Sequence, residues 1–182
     1  MKIENELDIL GKESVVASQE IKSLGKKEKN ELLNAIIETL KNDKDQILEA
    51  NKLDIEVSQD KLSNAMLDRL MLDDERFESI IESIKNVITL EDPTGNILFT
   101  NERPNGMIVE RVSVPLGVIG IIYESRPNVT IDATVLCLKA GNSVILRGGS
   151  ECFNTNTAMV NSMQKAIQSK SVSKNIVQYV NT

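Results

Sequence analysis

Residues 114–151, VPLGVIGIIYESRPNVTIDATVLCLKAGNSVILRGGSE, decide how this chain folds. Residues 118–123 form an apolar run of strand length, and residues 143–146 form a second. Between them the pattern is helical, from near Asn128 or Val129 to Ala140, with Gly141 standing where a helix is commonly closed by a residue of positive φ. Two strands joined by a helical crossover lie parallel in one sheet. Polar groups then collect at their carboxyl ends, in Glu124-Ser125-Arg126-Pro127-Asn128 and in Arg147-Gly148-Gly149-Ser150-Glu151. That edge is where open α/β sheets hold cofactors.

Working outward, Asp92-Pro93-Thr94-Gly95 breaks a helical pattern that fills the first ninety residues. Within it, Leu32, Leu33, Ile36, Ile37 and Leu40 fall at helical spacing, as do Phe77, Ile80, Ile81, Ile84, Val87 and Ile88. Asp43 with Gln46 resembles a capping box opening a helix that carries Ile47, Leu48 and Ile55, and Ser63 is an N-cap for a further one. Residues 97–100 and 107–114 read as a hairpin turning at Asn105-Gly106. Downstream, a helix is expected from Glu151 to about Ser169 and a last strand at residues 176–180.

The fold class is therefore α/β. It comprises a helical part (1–92), a β-hairpin (93–114) and an incomplete βαβαβ unit (115–182), the first part of an open, parallel-sheet, Rossmann-like cofactor domain. A sheet ending on a bare strand leaves one face poorly covered, which reads as a chain cut short or as an apolar surface needing a partner.

Composition narrows the functions. With 182 residues, 41% apolar and 26% charged, the chain suits one large or two small globular domains. No apolar run is long enough for a membrane span, the N-terminus is not a signal peptide, and two cysteines fit a reducing compartment, so a cytoplasmic location with no membrane partner is expected. Residues 1–92 carry 22 acidic and 13 basic side chains, a net of −9, and residues 93–182 carry 5 and 8, a net of +3. The acidic half would repel nucleic acid, whereas the second half suits a small anionic ligand. The absence of histidine and of any zinc-type cysteine spacing argues against a metal site and against Ser-His hydrolysis.

The two polar turns supply the candidates. Arg126 could grip a phosphate or carboxylate with its guanidinium fork, or pair with Glu124 or Asp132. Asn128 is either a helix N-cap or a donor to a developing oxyanion. Gly148 and Gly149 either admit a ligand to the backbone or serve a turn of positive φ. Arg147 suits a 2′-phosphate, and Ser150 or Glu151 a ribose hydroxyl. Cys137 sits on an apolar helix and reads as inert, while Cys152 opens a helix whose dipole would lower its pKa but has no neighbouring base.

The stretch from Arg111 to Glu151 resembles γ-glutamyl phosphate reductase (glutamate-5-semialdehyde dehydrogenase), of the aldehyde dehydrogenase superfamily. ILEANKLDI resembles that family's Asn-x-x-Asp helix, LSNAMLDRLML its Leu-Ser-x-Ala-Met-Leu-Asp-Arg-Leu signature, and LEDPTGNI its Asp-Pro-x-Gly, while Ser125 replaces a common alanine. The resemblance implies NADPH-linked reduction of γ-glutamyl phosphate to glutamate semialdehyde, a step of proline biosynthesis, through a thioester on a cysteine. It puts Asn128 at the oxyanion position and Arg147, Gly148, Gly149 and Ser150 on the adenosine-phosphate side of NADP(H); beside them Glu151 is a cofactor-binding candidate, and Ser125 and Arg126 are candidates for the substrate. It also implies a homo-oligomer formed through the hairpin at 96–114, or a complementing C-terminal half. Family members are about twice as long or more, and their nucleophilic cysteine lies in a later Cys-Asn segment matched by neither Cys137 nor Cys152. The chain corresponds to the N-terminal portion only, with the catalytic domain absent, and by itself is expected to be inactive. The alternative is a non-catalytic module that binds a nucleotide or pairs with an intact reductase.

Overall fold

In the computed structural model, which describes residues 2–181, five helices precede any strand: α1 (Lys2–Ser23), α2 (Lys26–Asn42), α3 (Lys44–Ser58), α4 (Asn64–Leu70) and α5 (Asp74–Thr89). Strands β1 (Ile97–Glu102) and β2 (Ile108–Val112) form an antiparallel hairpin with a register shift between Ile97 and Phe99. Then come β3 (Val118–Ile122), α6 (Pro127–Lys139), β4 (Ser143–Arg147), α7 (Phe153–Ser169) and β5 (Val177–Tyr179). Strands β3, β4 and β5 lie side by side in that order, all parallel. The expected α/β architecture is present, with a small sheet among many helices.

Strand alternation divides the sheet between two sets of helices. Val144, Leu146 and Val177 are fully buried on the face that carries α6 and α7. Ser143 and Gln178 lie on the opposite face under α1: the Ser143 hydroxyl donates to the Ser14 carbonyl, and the Gln178 amide donates to the Leu10 carbonyl and the Ser14 hydroxyl. Beyond α1 that face opens, and Ile122 is 85% exposed. The poor covering expected from the sequence is therefore real.

Helices α2, α3 and α5 pack against the outer sides of α6 and α7, so residues from both halves share one hydrophobic core. The predicted stripes are buried: Leu32, Leu33, Ile36, Ile37 and Leu40 on α2, and Phe77, Ile80, Ile81, Ile84 and Val87 on α5, with Ile88 at its end half-buried. Each such side chain contributes about 1.5–3 kcal/mol through burial. No helix among the described residues is long and apolar enough to cross a membrane.

Gly141 has φ +72°, and a Cβ there would press on Pro115. Asp73 caps α5, accepting from the Arg76 N–H at 2.8 Å. The capping box at Asp43 is not formed; its carboxylate meets the Lys165 ammonium at 3.0 Å instead. Ser63 precedes α4 but makes no side-chain cap bond. Helix α6 begins at Pro127, with Arg126 in the cap position, so Asn128 is not the N-cap. Proline suits the first helical position because its missing N–H would have had no partner there.

Candidate functional site

The turns after β3 and β4 meet at the carboxyl edge of the sheet. Ser125 donates its hydroxyl to Glu151 Oε2 at 2.6 Å, which joins them. This bond, then the Glu151 backbone N–H and more weakly Arg147, hold the Glu151 carboxyl below its usual range. It is thus ionised at neutral pH.

A turn of positive φ does not account for the two glycines. Gly148 and Gly149 are not among the glycines of positive φ. Instead, a Cβ on Gly148 would collide with Asn156 Nδ2, and one on Gly149 with the Ser125 hydroxyl. Both lack a side chain because protein atoms press on them.

Beneath Gly148 lies a buried polar chain. The Thr130 hydroxyl donates to Asn156 Oδ1 at 2.6 Å, so the Tyr123 hydroxyl, 2.8 Å from Thr130, must be the donor to it. Asn156 Nδ2 reaches the Tyr179 hydroxyl at 3.4 Å. Burial pushes the Tyr123 hydroxyl pKa well up, so it stays protonated. The ends of β3 and β5 are thereby tied through one asparagine.

A second anchor comes from α3, whose buried positions include Asn51, Asp54 and Ser58. Asp54 Oδ1 accepts from the Asn154 N–H (3.1 Å) and side-chain amide (2.8 Å), and Oδ2 from the Thr155 N–H (2.8 Å) and hydroxyl (2.6 Å). Cys152 occupies the cap position of α7 without capping it, so Asp54 caps that helix from a distant segment. Asn51 donates to the Leu70 carbonyl (2.9 Å) and the Thr155 hydroxyl (3.1 Å) and accepts from the Leu72 N–H (2.7 Å). Together the two side chains fix α4 relative to the turn at residues 147–151.

Between α4 and that turn runs a cleft of about 540 Å³. Ser125, Arg126, Arg147, Gly149, Ser150 and Glu151 line one side, and Leu62, Met66 and Arg69 the other. Arg147 is half-buried, and its guanidinium donates to the Gly148 carbonyl at 2.6 Å. Gly148 itself is buried and does not line the cleft. A neighbouring cleft of about 440 Å³ is lined by Asn128 with Arg126, Arg69, Ser83 and Asp132. Asn128 is exposed there and donates its amide to Asp132 Oδ2 at 3.2 Å. Six of the eight sequence candidates therefore share one cleft, Asn128 lies in the next, and Arg126 borders both. Arg69, from the LDRL motif, also lines both clefts, and nothing in its sequence context announces that.

Neither cysteine is a nucleophile in this fold. Burial raises the Cys137 thiol to about 11 and the Cys152 thiol to about 12. The lowering expected at Cys152 from the helix dipole is overturned, because full burial and the nearby Asp54 carboxylate both disfavour a thiolate. Arg126 pairs with neither Glu124 nor Asp132 among the described residues; Asp132 is taken by Ser83 and Asn128.

No protein-family model matches the chain. Its fold is that of the N-terminal part of aldehyde dehydrogenases: all of it superposes on 37% of an acetylating aldehyde dehydrogenase from Geobacillus thermoglucosidasius, with a TM-score of 0.73 at 12% identity. Within that class its relatives are γ-glutamyl phosphate reductases, and the chain is homologous to their N-terminal two fifths. It is 49% identical to the Clostridium perfringens reductase over 175 residues, 96% of this chain and 42% of that protein. The crystal structure of the Thermotoga maritima reductase superposes with a TM-score of 0.95 at 37% identity, covering 97% of this chain and 43% of that one. The chain thus spans about two fifths of the length of the curated relatives it matches, and the family resemblance read from its motifs is borne out.

Proposed function

We propose that this chain supplies the cofactor-side part of a cytoplasmic γ-glutamyl phosphate reductase, which converts γ-glutamyl phosphate to glutamate-5-semialdehyde in proline biosynthesis using NADPH. The observation that carries the reading is the cleft at the carboxyl edge of the sheet, in a chain 49% identical to a reductase of that name. Its donor set fits a phosphorylated ribose. The ionised Glu151 carboxylate is an acceptor for ribose hydroxyls, Ser150 is a hydroxyl partner, and Arg147 is a cation for a 2′-phosphate. A bound nicotinamide would supply the hydride. The residues of this chain bind and orient: Arg126 and Ser125 flank the substrate's anionic end, and the exposed Asn128 amide is a donor for an oxyanion once it turns from Asp132. The nucleophilic thiol is not provided by either buried cysteine.

Pairing through the hairpin is the second part of the proposal. Ile97, Phe99 and Ile108 are 58%, 55% and 65% exposed, and a two-stranded sheet has both edges free. A role limited to pairing with an intact reductase would rest on that apolar surface.

The cofactor reading is tested by grafting this chain in place of the matching part of the Clostridium perfringens reductase. Arg147→Ala in the graft should raise KM for NADPH about tenfold or more, as expected for losing a charge-assisted phosphate contact, and leave KM for NADH nearly unchanged. Equal increases for both cofactors would remove Arg147 from the 2′-phosphate.

A further inference from the structure

Arg69, in the last turn of α4, and Arg126, at the start of α6, each line both clefts, so the two clefts share two arginines from different elements. Both side chains are exposed, and neither makes an ion pair or a side-chain hydrogen bond among the described residues. That is unexpected in their surroundings, because the same clefts are lined by Asp68, Asp132, Glu124 and Glu151.

The carboxylates are engaged elsewhere. Asp68 binds Arg76 Nη2 at 2.6 Å, and Arg76 is further held by the carbonyls of Asp68 and Met71. Asp132 accepts from Ser83 and Asn128, and Glu151 accepts from Ser125. Arg147 is folded onto the Gly148 carbonyl. Glu124 is exposed and forms no ion pair among the described residues. Arg69 and Arg126 therefore keep all their donors free toward the boundary of two clefts, each far larger than a phosphate ion.

We propose that Arg69 and Arg126 form a two-guanidinium site for a phosphoryl group, distinct from the Arg147 turn, with the rest of the ligand lying along one of the adjoining clefts. The planar, permanently charged fork of arginine matches phosphoryl oxygens in bidentate fashion. Apolar side chains beside the arginines, Met66 in one cleft and Met71 and Leu72 in the other, suit a short aliphatic stem. Under the function proposed above, the phosphoryl group is that of the acyl phosphate, and Arg69 becomes a substrate-binding residue.

The test titrates the 182-residue chain with two probes, inorganic phosphate for the substrate's phosphoryl group and 2′,5′-ADP for the cofactor's, by calorimetry at low ionic strength. Arg69→Gln and Arg126→Gln should each weaken phosphate binding about tenfold or more, the loss typical of one charge-assisted contact. Lys85→Gln, at a residue that lines neither cleft, should change it less than twofold. Because neither Arg69 nor Arg126 has an internal bond, both variants should keep the parental Tm, which separates lost binding from lost folding. Unsaturable phosphate binding, or unchanged affinity in Arg69→Gln, would overturn the site. Loss of 2′,5′-ADP binding instead of phosphate binding in Arg69→Gln would overturn it as well, by assigning the arginine to the cofactor. If phosphate behaves as expected while 2′,5′-ADP ignores Arg147, the two-arginine site stands and the cofactor reading falls.

Discussion

Asp54 shows how much of the site depends on a residue that carries no chemistry. Its carboxylate is 4% exposed and accepts four hydrogen bonds from the first turn of α7, one hundred residues away in sequence. Removing it would leave two backbone N–H groups and a hydroxyl without their acceptor, and would take a negative charge from a helix N-terminus. Asp54→Ala should therefore cost about 2–4 kcal/mol. For a chain of this size that lowers Tm by roughly 5–12 °C in a thermal melt. A Tm within a degree of the parent would mean that α7 does not rely on this carboxylate. The motif Asp-Pro-x-Gly has a similarly structural basis: Asp92 pairs with the buried Lys29 ammonium at 2.6 Å and accepts from the Thr94 N–H and hydroxyl. Burial pushes the Asp92 carboxyl pKa up, but these bonds together outweigh it and leave it lowered. Of the residues named from sequence, Arg147, Ser150 and Glu151 were legible as cleft residues because they follow a strand. The reason for Gly148 and Gly149 was not, since the atoms that crowd them belong to Asn156 and Ser125 and reach them only through the tertiary fold.

At the scale of elements, periodicity served best where burial is apolar. Helices α2 and α5 bury the residues their spacing announces. Helix α3 does so only in part: Ile47 is buried, Leu48 and Ile55 are half-buried, and the rest of its buried stripe is polar, Asn51, Asp54 and Ser58. A polar stripe that bonds to a distant helix has no hydrophobic period to reveal it. Helix α6 starts one or two residues before the expected Asn128 or Val129, because Pro127 itself opens the helix. The hairpin was legible from its Asn-Gly turn and short β-rich runs, and its exposed apolar faces contribute nothing to the core. Phe99→Glu with Ile108→Lys should therefore leave Tm nearly unchanged and convert an associated species to a monomer in sedimentation velocity. An unchanged mass would show that the hairpin is not the pairing surface.

At the scale of the whole molecule, the chain is a sheet edge held rigid from behind. Helices of the acidic first half cover one side of the α6–α7 layer and fix α4 across the cleft, while the less acidic second half supplies the strand ends and turns. This division sets out in space the uneven charge of the sequence, net −9 before residue 93 and net +3 after it. It also explains why the cleft could not be drawn from sequence: its two walls, α4 and the turn at residues 147–151, are brought together by Asn51 and Asp54. The cleft is well formed, while the chain's two thiols are buried and protonated at neutral pH, so under the function proposed above the thiol comes from elsewhere. The most direct test is enzymatic. The graft of this chain onto the C-terminal three fifths of the Clostridium perfringens reductase is supplied with glutamate-5-semialdehyde, phosphate and NADP⁺, and NADPH is followed by absorbance. Phosphate-dependent NADPH formation within about tenfold of the intact enzyme, a loss below about 1.4 kcal/mol in transition-state binding, is the expected result. A graft that melts cooperatively near the parent's Tm but forms no NADPH, while the intact enzyme does, would contradict it.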